Sequence, residues 1–214
     1  MYVFQFAEGD RTMFDLLGGK GANQAALTRL GIPVPPGFTI STEACRYYLK
    51  HGGEPEELES EVDAAVHHVE GQVGRKLGDP SDPLLLSVRS GARYSMPGMM
   101  ETVLDIGLND RSVVGLAESS GNDRFAWDSY RRLIQMFGST VMGIDSNVFE
   151  AALEETKDVA GVVLDYDLDV PSLHALVDRY KAIVLEETGE AFPQDPMTQL
   201  RMSIRSVFDS WNTE

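Results

Sequence analysis

The stretch LLLSVRSGARYSMPGMMETVLDIG, residues 84–107, decides how the fold of this chain is interpreted. Its leucines and Val88 predict a short buried strand over 83–88. The strand leads into Arg89 and Arg93 and then into a loop of glycine, proline and methionine. A guanidinium at the end of a buried strand is held in place, so it can act as a bidentate clamp for an anion. In an acidic chain, a nucleotide phosphate is the leading candidate for that anion.

Charge limits the kinds of partner that the chain can have. Among 214 residues, 18 lysines and arginines stand against 34 aspartates and glutamates, which gives a net charge of −16. This balance argues against nucleic-acid binding and against anionic membrane surfaces, because both require many cations. A small phosphate ligand stays open, since two or three local cations are enough to bind it.

The single cysteine, Cys45, excludes an internal disulfide framework and gives no support to a structural zinc site. We interpret it as a small core residue on a helix. The N-terminus lacks the features of a signal peptide, and no apolar run is long enough for a membrane helix. A cytoplasmic location is therefore expected.

The pattern of predicted elements changes near residue 110. Before it, a strand at 2–6, a glycine loop at 16–21, a helix at 22–30 and a helix at 55–77 indicate a mixed α/β (α+β) region. After it, helices are predicted at 111–119, 123–142, 147–159, 170–188 and 195–211. Asp169 and Asp195 supply capping signals before Pro171 and Pro196.

The run Gly18-Gly19-Lys20-Gly21 precedes a predicted helix. Glycines allow the backbone to approach a ligand, a helix N-terminus offers free N–H groups, and Lys20 adds a positive charge. The run is not a P-loop, because Phe14 and Gly21 occupy positions where that motif needs glycine and a hydroxyl residue. A simple glycine turn into a helix explains it about equally well.

The loop after the predicted strand could bind phosphate through its backbone. The amides of Gly98, Met99 and Met100 could form a nest for phosphate oxygens, and Thr102 could donate its hydroxyl. In the alternative interpretation the methionines only fill the core and the arginines pair with carboxylates.

Other charged and titratable residues favour structural roles. Arg131 and Arg132 are predicted to form a paired or solvated helix face, with a docking surface as the alternative. We interpret the four histidines as surface or packing residues, because none has a partner at catalytic or metal-binding spacing: His51, His67, His68 and His174. No catalytic nucleophile is evident.

Four segments together resemble the pyruvate, phosphate dikinase family. They are LLGGKGANQAALTRLGIPVPPGFTISTEAC, LLLSVRSGARYSMPGMMETVLDIGLND, SYRRLIQMFG and a final helix that ends in SW. The resemblance covers essentially the whole chain in the family's order and spacing. Its MPGMM loop separates this family from the related phosphoenolpyruvate synthases.

The resemblance implies an enzyme that converts ATP, phosphate and pyruvate to AMP, pyrophosphate and phosphoenolpyruvate through a phosphohistidine. An ATP-grasp domain transfers the β-phosphoryl of ATP to that histidine, with Mg²⁺ present. Lys20 and Arg89 match motif residues that contact the ATP phosphates. The other implied phosphate contacts are Gly98, Met99 and Thr102, with Gly19, Gly21, Arg93 and Glu101 as further candidates. The resemblance places no catalytic residue and no metal ligand in this chain.

The resemblance also implies a domain plan. Residues 1–110 would form the first ATP-grasp lobe, 111–194 an inserted helical subdomain, and 195–214 a helix that returns to that lobe. The second lobe, the phosphohistidine domain and the pyruvate-binding barrel would be missing, so we expect an excised fragment or a truncated product that is inactive alone. Its expected partners are ATP and the missing domains, within a homodimeric parent enzyme, and Arg131 and Arg132 are the alternative docking surface named above.

Two alternatives remain open from the sequence. In one, the chain is a non-catalytic interaction module that binds a partner through an exposed face. In the other, it belongs to a phosphoenolpyruvate synthase-like dikinase with a different substrate.

Overall fold

The computed structural model describes residues 1–90 and 102–211. The strands in these ranges are β1 Val3–Gln5, β2 Phe38–Ile40, β3 Leu86–Val88 and β4 Val103–Ile106. The helices are α1 Phe14–Arg29, α2 Thr42–His51, α3 Leu58–Val73, α4 Ser112–Ser120, α5 Asp123–Thr140, α6 Ser146–Ala160, α7 Val170–Thr188 and α8 Pro196–Ser210. Helices dominate and the sheets are small and antiparallel, which agrees with the α+β prediction.

The chain divides into two compact units. Among the described residues, the N-terminal unit comprises 1–75, 89–90 and 207–211, and the helical unit comprises 76–88 and 102–206. No helix in the described ranges has the length and apolar character that a membrane crossing requires.

The N-terminal unit is built on the pairing of β1 with β2, in which Val3 lies opposite Ile40. Phe4 from β1 joins Leu17 and Ala22 from α1 in one buried cluster. The α3 helix packs against β1. Its Glu61 carboxylate accepts the backbone N–H of Val3 at 2.9 Å, which ties the edge of the strand pair to that helix.

The helical unit is organised around α5, which packs against α4, α7 and β4. Tyr130 and Phe137 on α5 are fully buried. On the neighbouring helices, the rings of Phe149 and Tyr180 meet edge to face with centroids 5.0 Å apart. The Tyr180 hydroxyl donates to the Phe149 carbonyl at 3.0 Å, so this large polar side chain is satisfied inside the core.

The strand predicted at 83–88 is shorter and less buried than its leucines suggest. Only Leu86–Val88 forms β3, and Leu86 and Val88 are half-buried. The pairing with β4 contains a bulge between Leu86 opposite Ile106 and Val88 opposite Val103. A two-stranded sheet buries little of its edge strand, so the apolar run does not become a central strand.

Elements on both sides of residue 110 belong to the helical unit, and the domain limits expected from the sequence stay predictions. β4 lies before residue 110 but packs against α5, with Val103 and Ile106 fully buried. Gln199 of α8 also bonds within the helical unit, because its Oε1 accepts the Gly107 N–H and its Nε2 donates to the Leu108 carbonyl, both at 2.9 Å. Only the last residues of α8, from Val207, group with the N-terminal unit.

Candidate functional site

The glycine run spans a break between two helical segments of α1. The helical conformation of α1 is interrupted at Gly18 alone, where φ is 68° and ψ is 172°. This conformation is costly for any residue with a β-carbon, which explains glycine at this position. The loop predicted over 16–21 is confined to Gly18, since helical geometry continues on both sides of that residue. Gly19 and Lys20 begin a new helical segment, and the first N–H groups of a helix lack intrahelical acceptors.

Gly21 fixes the path of this segment against the sheet. A β-carbon at Gly21 would stand 2.7 Å from Cγ2 and 2.9 Å from Oγ1 of Thr39 on β2. Gly21 is buried, and Leu17 closes its other side. Glycine is required here for the close approach of helix and strand, which holds the neighbouring Lys20 at a defined place. A direct ligand contact from Gly21 remains a prediction.

The Lys20 side chain is exposed. It forms no hydrogen bond or ion pair with any residue in the ranges 1–90 and 102–211. The other basic residue of α1, Arg29, differs, because its Nη1 lies 3.3 Å from Oδ2 of Asp10. Lys20 therefore keeps its charge available to an anion at the start of the helical segment.

Arg89 directly follows β3 and is also exposed. Within the described part of the chain, no carboxylate pairs with it, so the alternative in which it neutralises an internal acid gains no support. Lys20 and Arg89 belong to the same compact unit. That their side chains meet at one ligand stays a prediction.

The residue after Arg89 has an anchor that the sequence did not reveal. Ser90 is 3% exposed, and its Oγ accepts a hydrogen bond from Nε1 of Trp211 at 3.3 Å. Trp211 thus connects the end of α8 to the side chain of the residue beside Arg89. No local signal marks this pair, because the two residues lie 121 positions apart.

The remaining predicted phosphate contacts fall in different places. Thr102 is exposed, immediately precedes β4, and belongs to the helical unit. The others lie outside the described residues: Arg93, Gly98, Met99 and Glu101.

Docking through Arg131 is excluded by its environment. Its side chain is 3% exposed, and its Nε and Nη2 donate to Oδ1 of Asp128 at 3.0 and 2.8 Å. Arg132 is mostly exposed and contacts the other oxygen of the same carboxylate at 3.1 Å. The prediction of a paired arginine face is confirmed, and the suggestion that Arg131 contacts another domain is wrong.

The interpretation of the cysteine as a core residue is confirmed. Cys45 is buried on α2, and burial raises the pKa of its thiol to about 11, so the thiol is protonated at neutral pH. No group of three or more histidine, cysteine, aspartate or glutamate side chains that could hold a metal ion occurs among the residues that the structure describes.

The histidines have the packing and surface roles that were predicted. The ring of His51 packs on that of Tyr47 with centroids 4.3 Å apart. The ring of His174 packs on that of Trp127 with centroids 3.7 Å apart. His67 contacts the Asp63 carbonyl one helical turn away.

Comparison with known proteins supports the resemblance found in the motifs. Residues 14–63, which contain the Gly18 break and Lys20, match the family model described as the pyruvate phosphate dikinase AMP/ATP-binding domain. The chain is 52% identical over 99% of its length to the chloroplastic pyruvate, phosphate dikinase of Flaveria trinervia and covers 23% of it. It is 53% identical to pyruvate, phosphate dikinase 1 of Arabidopsis thaliana and 51% to pyruvate, phosphate dikinase 2 of Zea mays, over 99% of the chain and 22% and 24% of those proteins. The chain thus spans about a quarter of the length of these relatives, and over nearly all of its residues it is similar to pyruvate, phosphate dikinases.

Proposed function

We propose that this chain supplies part of the ATP-binding region of a pyruvate, phosphate dikinase, as one lobe of an ATP-grasp domain. The observation that carries the proposal is Lys20, an exposed lysine without an internal partner in the described ranges, at the start of a helical segment after the Gly18 break. It lies within the 50 residues that match an AMP/ATP-binding domain. The names of the similar proteins favour a dikinase over a phosphoenolpyruvate synthase.

In this proposal the chain binds and positions the triphosphate of ATP. The N–H groups after Gly18 and the ammonium of Lys20 contact phosphate oxygens, and the Arg89 guanidinium adds a two-pronged contact. Phosphoryl transfer depends mainly on alignment and on neutralising the charge of the transferred group. These residues therefore hold the nucleotide and bear no covalent intermediate.

The reaction itself needs groups beyond these residues. The pyrophosphoryl group of ATP would pass to a histidine on another domain, and AMP would leave. Its γ-phosphoryl would then pass to phosphate, which gives pyrophosphate, and the β-phosphoryl that remains on the histidine would pass to pyruvate, which gives phosphoenolpyruvate. Mg²⁺ would neutralise phosphate charge during the transfer, but the described ranges offer no cluster of ligating side chains that fits the ion. We therefore assign no metal ligand to this chain.

Calorimetric titration with ATP tests the proposal. We expect weak binding, because a single lobe leaves the triphosphate open to water, and a further loss of about tenfold, or 1.4 kcal/mol, in Lys20→Ala or Arg89→Ala. Lys50→Ala is the matched control, since Lys50 is an exposed lysine at the end of α2. Equal heats for the wild type and for the Lys20 and Arg89 variants would refute the assignment.

A further inference from the structure

The last turn of α6 and the connection to α7 expose a group of large apolar side chains. Val159 is 86% exposed, Val163 81%, Leu164 46% and Tyr166 67%. All four lie within eight residues, which we call the apolar loop, residues 159–166. Scattered apolar residues are normal on a protein surface, whereas a concentrated group indicates a binding surface.

Two basic side chains, those of Arg124 and Lys157, bind the C-terminal part of the connection that contains the apolar loop. Arg124 of α5 donates from Nη2 to the Asp165 carbonyl at 2.7 Å and from Nε to the Leu168 carbonyl at 3.0 Å. The nearly buried Lys157 of α6 contacts Oδ1 of Asp165 at 3.4 Å. Leu168 is 1% exposed and inserts into the core of the helical unit. The loop is thus fastened near its C-terminal end while its apolar side chains face solvent.

Both ends of the connection are fixed as well. Gly161 ends α6 in the left-handed conformation, with φ of 70°. Asp169 begins α7 by accepting the N–H of Ser172 at 2.9 Å. A surface that is already ordered loses less conformational entropy when it binds a partner, so these contacts favour recognition.

The charges around the loop define its partner. Two basic side chains lie against the loop: Arg124, which donates to its carbonyls, and Lys157, which is 8% exposed and pairs with Glu154 and Asp165. The exposed carboxylates between residues 146 and 170 are Glu150, Glu154, Glu155, Asp158, Asp167 and Asp169. Two copies of this acidic surface would repel each other, as would an anionic lipid surface, and the chain as a whole carries −16.

We propose that the apolar loop binds a positively charged segment of a different protein, with large apolar side chains that pack on Val163 and Tyr166. The apolar contacts supply affinity, and the surrounding carboxylates attract the lysines or arginines of the partner. This surface lies wholly in the helical unit, and the proposal does not depend on ATP binding.

The test is a titration of the whole chain with a labelled amphipathic peptide of lysine and leucine, followed by fluorescence anisotropy. We expect saturable binding that weakens about tenfold in the double variant Val163→Ser/Tyr166→Ser, because serine removes the apolar surface on which the peptide packs. Leu185→Ser is the matched control, because Leu185 is 52% exposed on α7 beside Glu186 and Glu187. Circular dichroism checks that each variant is folded.

Three outcomes would overturn the proposal. One is absence of binding, and another is equal affinity in the wild type and the double variant, which would assign the attraction to overall charge. The third is a concentration-dependent dimer on size-exclusion chromatography that is lost in the double variant. That result would mean that a second copy of the chain, and not a different protein, binds the apolar loop. A glutamate and leucine peptide that binds as tightly as the lysine peptide would contradict the charge argument.

Discussion

Gly21 and Thr39 lie so close that a β-carbon on the glycine would stand 2.7 Å from the threonine methyl. Real β-carbons do not approach other atoms to this distance, so α1 and β2 can pack in this way only with glycine at position 21. The Thr39 side chain projects from a strand paired with β1, and it has little freedom to move away.

Gly21→Ala is therefore expected to lower the free energy of unfolding by about 1–3 kcal/mol, because it overpacks the contact of helix and strand. Urea denaturation followed by circular dichroism measures the loss. Gly71→Ala is the matched control in α3, where an added β-carbon meets no atom within 4 Å. That change should stabilise the protein by about 0.5–1 kcal/mol, since alanine favours the helix interior. Equal effects at both positions would contradict the packing argument.

The ion pair of Arg131 with Asp128 gives a second prediction. Arg131→Met leaves a nearly buried carboxylate without its main partner, and we expect a loss of about 3 kcal/mol in the free energy of unfolding. Arg132→Met removes a mostly exposed arginine from the same carboxylate and should cost less than about 1 kcal/mol. Thermal and urea unfolding compare the two variants, and similar losses would show that burial does not distinguish these arginines.

Asp105 gives a prediction about pH. This half-buried residue of β4 has φ of 61°, and burial raises the pKa of its carboxyl group, while the charge of Arg132 partly opposes the rise. Arg132 also contacts the carboxylate of Asp128. A carboxyl whose pKa is higher in the folded state than in the unfolded state makes unfolding easier as pH rises.

Asp105→Asn should therefore stabilise the protein at pH 7, and the gain should fade as pH falls toward the ordinary aspartate pKa of about 3.9 and be absent below it. Asparagine also tolerates the left-handed backbone at this position. Free energies of unfolding of the wild type and the variant, measured from pH 7 to below about pH 3.9, test whether the gain falls as pH falls. Asp15→Asn, at an exposed position in the first turn of α1, should give no comparable gain. A gain at Asp105 that persisted unchanged to low pH would exclude titration as its cause.

The helices after residue 110 could be predicted because their signals are local. All five occur within about two residues of the predicted limits, in agreement with general experience of helix boundaries. Two of the predicted caps are present, since Asp169 accepts the Ser172 N–H and Oδ2 of Asp195 accepts the Thr198 N–H at 2.7 Å. These contacts span three residues, so the sequence pattern contains all that is needed to predict them.

Features that depend on distant contacts could not be predicted. The glycine run suggested a longer loop, but the non-helical conformation is confined to Gly18, and Gly21 packs on Thr39, which is distant in sequence. A different error is local: the helix predicted to extend to Leu77 ends at Val73, because Gly74 takes a left-handed conformation with φ of 75°, and this glycine stop signal was not used. The charged motif around Arg131 does not reveal that α7 and β4 pack on the same helix.

In the candidate site, too, residues within motifs could be predicted, whereas contacts between residues distant in sequence could not. Lys20 and Arg89 could be singled out from motifs, because glycine spacing and the end of an apolar run are visible in sequence. The hydrogen bond that anchors Ser90, the residue next to Arg89, could not be predicted, because its donor Trp211 lies at the opposite end of the chain.

Trp211→Phe tests whether this hydrogen bond matters for the proposed ATP site. Phenylalanine keeps an aromatic ring and removes the N–H that Ser90 accepts. Without it, Ser90 loses its partner and the adjacent Arg89 is held less firmly, so ATP affinity should fall. A hydrogen bond worth about 1 kcal/mol corresponds to a Kd about fivefold weaker, which calorimetry with ATP measures.

Trp127→Phe is the control for this last variant, because Trp127 packs on His174 in the helical unit and not beside Lys20 or Arg89. It should leave ATP affinity unchanged. The double variant Trp211→Phe/Arg89→Ala should bind ATP no more weakly than Arg89→Ala alone, since a residue that acts only through Arg89 has no effect once Arg89 is gone. Additive losses would instead mean that Trp211 supports the nucleotide by a route that does not involve Arg89.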